Sequence, residues 1–211
     1  NEKITIVEGS GVDLEEYKSQ KRKTQGPIKV LMASRLLKDK GVREFCEAAR
    51  KIQEKYNFKI SFSLAGPIDL ESPGYLTEEQ IGQMCSSNKV EFLGNISDLK
   101  DILAESHIFI LPSYYAEGIP KVLLEAAASG CAVITTDHPG CRDAIIPGKT
   151  GMLIPPREIS SLINAIVNMV SDRDLIESMG EAGRLMAEQK FCVSKVIDHH
   201  YSLYKTFNKD K

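Results

Sequence analysis

Several features are scarce in this 211-residue sequence, and each scarcity excludes a class of protein. No run of about 18 apolar residues and no signal peptide occurs, so nothing reads as spanning or crossing a membrane. The five cysteines, Cys46, Cys85, Cys131, Cys141 and Cys192, are odd in number and scattered, with no C-x-x-C pair. That argues against a disulfide framework and a zinc site, and it fits a reducing cytosol. There is no basic excess: 27 lysines and arginines face 29 aspartates and glutamates, so nucleic acid is not an expected partner. No G-x-G-x-x-G joins a strand to a helix, which weighs against an NAD-binding domain. No composition shift marks a second domain, and the length suffices for one α/β unit with a sizeable core.

What is present is an alternation of short apolar runs with helical patterns. Strands are expected at Ile4–Val7, Ile28–Ala33, Phe58–Ala65, Val90–Leu93, Ile108–Leu111, Ala132–Thr135 and Gly151–Ile154. Between Gly41 and Tyr56, the residues Val42, Phe45, Cys46, Ala49 and Ile52 recur at helical spacing and predict a helix with one buried face. Further helices are expected from about Thr77, from a cap at Ser97 or Asp98 to Ser106, and from Pro120 to Ser129. Beyond residue 155 the chain reads as helical, over about Ile159–Val170, Asp172–Gln189 and Val193–Phe207. Strands that are apolar runs rather than alternating ones predict a parallel sheet covered on both faces, a Rossmann-like α/β layout.

Two loops carry the charges of interest. Arg35 and Lys40 follow the Ile28–Ala33 strand, and a strand feeding a loop and a helix places ligands beyond the carboxyl end of a parallel sheet. Two cations there could clamp a diphosphate, the arginine by its fork and the lysine as a point charge. In the stretch LPSYYAEGIPKVLLE, Pro112 stops a strand, Glu117 and Gly118 sit in a loop, and Pro120 suits the first position of a helix. The first turn of that helix offers unpaired amides and the positive end of a dipole to an anion. Glu125 lies within the helix, and two carboxylates eight residues apart can hold hydroxyls at two ends of a polar ligand. Plainer readings stand beside these: Arg35, Lys40 and Glu117 as solvated loop charges, and Glu125 paired with Lys121 one turn away.

The segment EGIPKVLLEAAASGCAVITTD resembles the Glu-x7-Glu signature of the family 4 retaining glycosyltransferases. RLLKDKG resembles the stretch that holds the donor diphosphate in that family, and the opening resembles a G-V-D segment near the junction of its two domains. The resemblance implies one half of a GT-B architecture, the carboxyl-terminal, donor-binding half, with residues 1–211 a fragment of a longer protein and the amino-terminal acceptor half absent. It implies catalytic roles for Arg35, Lys40 and Glu117. Donor contacts would come from those three with Gly94, Ile96, Gly118, Ile119, Pro120, Lys121, Val122, Leu123 and Glu125: Glu117 on the transferred sugar, Glu125 on the ribose, and the backbone at Gly94 and Ile96 near the base. No cofactor and no metal are implied. The partners would be a nucleoside diphosphate sugar and a glycan or polyprenol-linked acceptor, as in bacterial capsule and O-antigen synthesis. Location would be cytoplasmic, with peripheral association at the inner membrane face left open. A sugar-nucleotide epimerase of related fold and a non-catalytic nucleotide-sugar module remain as alternatives. Tyr114-Tyr115-Ala116 departs from the family pattern before E-G.

Other signals are discounted. Pro147-Gly148-Lys149-Thr150 is read as a turn rather than the end of a P-loop, because Asp143 stands where the first glycine is needed. Asp172-Arg173-Asp174 is read as a helix start rather than a metal motif. The lysines of KSQKRKTQGP are read as a surface loop rather than a lipid contact.

Overall fold

A computed structural model describes residues 9–20, 22 and 26–209, with side chains described as far as residue 205. The strand expected at Ile4–Val7 lies outside these residues. Six strands form one sheet in the order β3-β2-β1-β4-β5-β6, and every pairing is parallel. The elements run β1 (Ile28–Ala33), α1 (Val42–Lys55), β2 (Ile60–Ala65), α2 (Glu78–Ser87), β3 (Glu91–Phe92), α3 (Lys100–Glu105) and β4 (Ile108–Leu111). Then come α4 (Lys121–Ala128), β5 (Ala132–Thr136), β6 (Gly151–Ile154), α5 (Ile159–Ser171), α6 (Arg173–Met186) and α7 (Val193–Lys209).

Every residue of β4 and β5 is buried, as central parallel strands require when helices cover both faces. One layer is built by α1 against α2 and α5, the other by α4 against α3 and α6. The stripe expected on α1, Val42, Phe45, Cys46, Ala49 and Ile52, faces the core, where the Phe45 and Phe62 rings meet edge to face. Among the described residues no helix is long and apolar enough to cross a membrane.

Several boundaries differ from expectation for definable reasons. The second strand starts at Ile60 rather than Phe58, because its partner strand starts at Ile28 and the register is Ile28 to Ile60. Phe58 stacks on Tyr56 in the connection instead. The next strand shrinks to Glu91–Phe92, which pair only with Ser63 and Leu64 at the sheet edge. Asp98 accepts the Lys100 amide at 3.0 Å, so it forms the turn before α3, whose first residue is Lys100. The helix expected from about Thr77 begins at Glu78, and Thr77 caps it through a reciprocal capping box with Gln80. Asp172 caps α6 by accepting the Leu175 amide. That helix ends at Met186, and Ala187–Phe191 follow as one π-turn.

Two glycines fix how loops approach one another. Gly41 adopts φ +80° at the start of α1, and a Cβ there would sit 2.4 Å from the Pro112 carbonyl oxygen. Gly66, with φ +143°, lies tighter still, a Cβ there falling 1.8 Å from the Ser34 carbonyl oxygen. Gly41→Ala should therefore destabilise the chain by more than about 1 kcal/mol. Gly82 lies inside α2 with nothing near its missing Cβ, and Gly82→Ala should stabilise by about 0.5–1 kcal/mol. Urea unfolding of both variants checks the pair, and the two midpoints should move in opposite directions.

Candidate functional site

Strand order reverses direction between β1 and β4, which opens a crevice at their carboxyl ends. The loops leaving these two strands are joined by hydrogen bonds. The Tyr114 amide donates to the Asp39 carbonyl at 2.8 Å, the Ser113 hydroxyl donates to the same oxygen at 3.3 Å, and the Tyr114 hydroxyl donates to Lys38 O at 3.1 Å. Thr135 and Thr136 of β5 donate to Leu111 O and Ser113 O, fixing the end of β4 from its other side.

This joint places the expected cations beside the expected carboxylate. Lys40 ends a 3₁₀ turn (Lys38–Lys40) and is only 5% exposed. Its ammonium is ion-paired with Glu117, which remains partly open to solvent. A buried ammonium without a counter-charge would be costly, so the pair accounts for the burial. Arg35 donates to Asp69 Oδ2 at 3.1 Å and to the Ser72 hydroxyl at 3.1 Å. The Tyr115 ring touches both cations, with Lys40 Nζ at 4.7 Å and Arg35 Cζ at 5.4 Å from its centroid. Arg35, Lys40, Tyr115 and Glu117 thus form one cluster.

Gly118 continues this loop, and a Cβ there would meet nothing within 4 Å, so the space above its backbone is open. Gly140, with φ +83°, supports the loop from below: a Cβ there would lie 2.3 Å from Gly118 O and 2.6 Å from Glu117 O. The helix mouth differs in two details from expectation. Pro120 is the N-cap of α4 rather than its first residue, because its ψ of 121° is extended. The Leu123 amide donates to Pro120 O at 3.0 Å, which removes it from the set of amides open to an anion. Leu123 is also fully buried, whereas Lys121 is exposed and Val122 and Ile119 are partly buried.

Gly94 and Ile96 lie past the end of β3. The Gly94 carbonyl accepts the Gly66 amide at 2.8 Å, and Gly66 abuts Ser34 beside Arg35, so the ends of β3, β2 and β1 are laced together. Ile96 is partly buried and packs on the core. Glu125 is 7% exposed. Its carboxylate lies 3.4 Å from Lys121 Nζ, so the plain helical pair is present. It also faces the Tyr17 hydroxyl, which burial first, and the Glu125 charge second, push well above the ordinary tyrosine range. Arg22, from the loop expected at the surface, instead donates to Gly130 O and Ser129 O at the carboxyl end of α4. A cleft of about 300 Å³ lined by Arg22, His107 and Arg173 among others lies before β4 and β5. It is at the far ends of the strands from the charged cluster.

Sequence reasoning named Arg35, Lys40 and Glu117 but missed Asp69, Gly140 and Tyr17. Gly140 carried a faint signal, a Pro-Gly pair just after a strand. Asp69 and Tyr17 carried none, because a partner 34 residues away in the one case and a buried helix carboxylate in the other leave no local pattern. Among the described residues no group of three or more His, Cys, Asp or Glu side chains is placed to hold a metal ion.

The ion pair is asymmetric, which sets two expectations. Glu117→Gln leaves a buried ammonium without its counter-charge and should cost about 1–3 kcal/mol. Lys40→Met removes the buried charge and leaves Glu117 able to reach water, so it should cost less; chemical denaturation of the two variants ranks them. For Asp69, the Ser72 hydroxyl first and Arg35 second hold the carboxyl below its ordinary value. Its contribution is therefore present above about pH 4, the ordinary aspartate value, and is lost as pH falls through the lowered folded value. Asp69→Asn should flatten the acid limb of stability against pH, and an unchanged limb would show that the carboxylate does not contribute.

A family model described as glycosyl transferases group 1 matches residues 13–186. The capsular polysaccharide biosynthesis glycosyltransferase CapM of Staphylococcus aureus is 26% identical over 99% of this chain and 57% of its own length. The N,N'-diacetylbacillosaminyl-diphospho-undecaprenol alpha-1,3-N-acetylgalactosaminyltransferase of Campylobacter jejuni is 33% identical over 82% of this chain and 46% of its own. The chain thus spans about half the length of the curated relatives it matches. Among solved structures, Anabaena HepE in complex with UDP superposes with a TM-score of 0.78 at 21% identity, covering 93% of this chain and 56% of that one.

Proposed function

The chain belongs to the group 1 glycosyl transferases, and from that premise we propose that it is the carboxyl-terminal, donor-binding domain of a two-domain retaining enzyme. The reaction is transfer of a sugar from a nucleoside diphosphate sugar, with UDP as the leading nucleotide, to a glycan or lipid-linked acceptor of bacterial surface polysaccharide. The acceptor pocket is assigned to an amino-terminal half, so this chain by itself binds donor and turns over little. A lipid-linked acceptor would bring the full-length protein to the inner face of the membrane.

One observation carries the reading: a buried lysine from the loop after β1 and a loop glutamate after β4 meet at the sheet's switch point, with Arg35 on the same aromatic ring. Breaking the bond to the anomeric carbon builds negative charge on the departing diphosphate. Arg35 and Lys40 would stabilise that charge more strongly in the transition state than in the ground state, with the Lys121 and Val122 amides behind them. Glu117, released from Lys40 as phosphate takes the ammonium, would accept hydrogen bonds from hydroxyls of the transferred sugar. Glu125 would take the ribose hydroxyls in exchange for its Lys121 contact. In the family's same-face pathway a donor phosphate oxygen takes the acceptor proton, so no side-chain nucleophile is needed. The relatives in capsular polysaccharide and undecaprenol-linked glycan synthesis support the acceptor class.

Calorimetric titration with UDP, GDP, uridine and several UDP-sugars tests this. A nucleoside diphosphate should bind, and Arg35→Ala and Lys40→Ala should each weaken UDP roughly tenfold or more, the loss of a charge-assisted hydrogen bond. Uridine affinity should stay within about twofold, since it presents no phosphate to either cation. Equal losses for UDP and uridine would show that these residues do not hold the diphosphate.

A further inference from the structure

Arg35 and Lys40 lie five residues apart on a loop with one short 3₁₀ turn, and each is held by a carboxylate of a different loop, Asp69 for one and Glu117 for the other. If a diphosphate takes both cations, both ion pairs must open, and two like charges left on a loop would repel and spread. One side chain stays in contact with both: the Tyr115 ring, with Lys40 Nζ at 4.7 Å and Arg35 Cζ at 5.4 Å from its centroid. Its backbone is fixed as well. The Tyr115 amide donates to Ser113 Oγ at 3.2 Å, Ser113 Oγ donates to Asp39 O, and the neighbouring Tyr114 amide donates to the same carbonyl. The ring is thus anchored to the loop that carries the cations, and it is partly open to solvent.

We propose that Tyr115 is a positioning residue of the donor site, its ring holding Arg35 and Lys40 toward one point so that a diphosphate meets both cations at once. The inference rests on the donor-binding reading. Glu117 and Asp69 act as counter-ions that the diphosphate displaces, whereas the ring, being uncharged, keeps its contacts throughout the exchange. A ring face attracts both cations without competing for the hydrogens that phosphate oxygens need. The departure from the family pattern at Tyr114-Tyr115-Ala116 thereby gains a role.

The test uses the 211-residue chain and two probes, UDP and uridine, in titration calorimetry. Tyr115→Leu should weaken UDP roughly fivefold to tenfold, in line with a partly buried cation–π contact to two groups, and leave uridine within about twofold. Tyr115→Phe, which keeps the ring and loses the hydroxyl, should return UDP affinity to within about threefold of the parent. In a Lys40→Ala background the same Tyr115→Leu change should cost less, because one of the two cations it steers is gone. Unaltered UDP affinity in Tyr115→Leu, alongside losses in Arg35→Ala and Lys40→Ala, would overturn the positioning role and leave the donor reading standing. Equal weakening of UDP and uridine would overturn it as general damage to the loop. Unaltered UDP affinity in Arg35→Ala and Lys40→Ala would overturn the donor reading itself.

Discussion

The ammonium of Lys40 lies inside the protein, and the arrangement around it follows from the need to neutralise it. Its counter-charge comes from Glu117, 77 residues later in the chain. The two can meet only because β1 and β4 are neighbours in the sheet, which places the loops that leave them on the same edge. Desolvation makes an unpaired charge there expensive, so the pair ties the geometry of one loop to that of the other. The same charge is what an anionic ligand would compete for, so any change to the pair also changes the stability of the free chain.

Backbone contacts reinforce this link. Gly41 lets the start of α1 press against Pro112, Gly140 lets a loop after β5 press against Glu117 and Gly118, and Asp39 O accepts from both Ser113 and Tyr114. At two of these positions the residue is glycine because φ is positive and a Cβ would collide with a carbonyl oxygen. Gly118 is different: it leaves open space rather than filling a tight contact. The loops therefore meet in close backbone contact beside the exposed Gly118.

Helix α4 is secured from outside the sheet. Arg22 donates to the carbonyls at its carboxyl end, Arg184 donates to Ala128 O and to Tyr17 O, and Tyr17 in turn faces Glu125. Charge at the carboxyl terminus of a helix complements its dipole. The segment before β1 is thus part of the support of α4, and through it of the loop that carries Glu117. A polar, basic run that looks like a solvated connection contributes its arginine to the interior.

By itself, the sequence determined the alternation of strands and helices, the buried stripe of α1, a helix starting near Thr77 and the helix start at Asp172. It also marked Arg35, Lys40 and Glu117 as charges worth attention. These are local properties: apolar periodicity, capping chemistry and loop composition act over a few residues and leave a readable pattern. The tertiary structure decided which charges neutralise each other, that Glu125 is engaged by both Lys121 and Tyr17, that Asp69 and Ser72 hold Arg35, and that Leu123 spends its amide on Pro120. It also set strand lengths at the edge, where β3 is confined to Glu91–Phe92, paired with Ser63 and Leu64. These outcomes depend on which strands lie side by side, and on the low dielectric that forces a buried charge to find a partner. Neither is encoded in any single stretch of the chain.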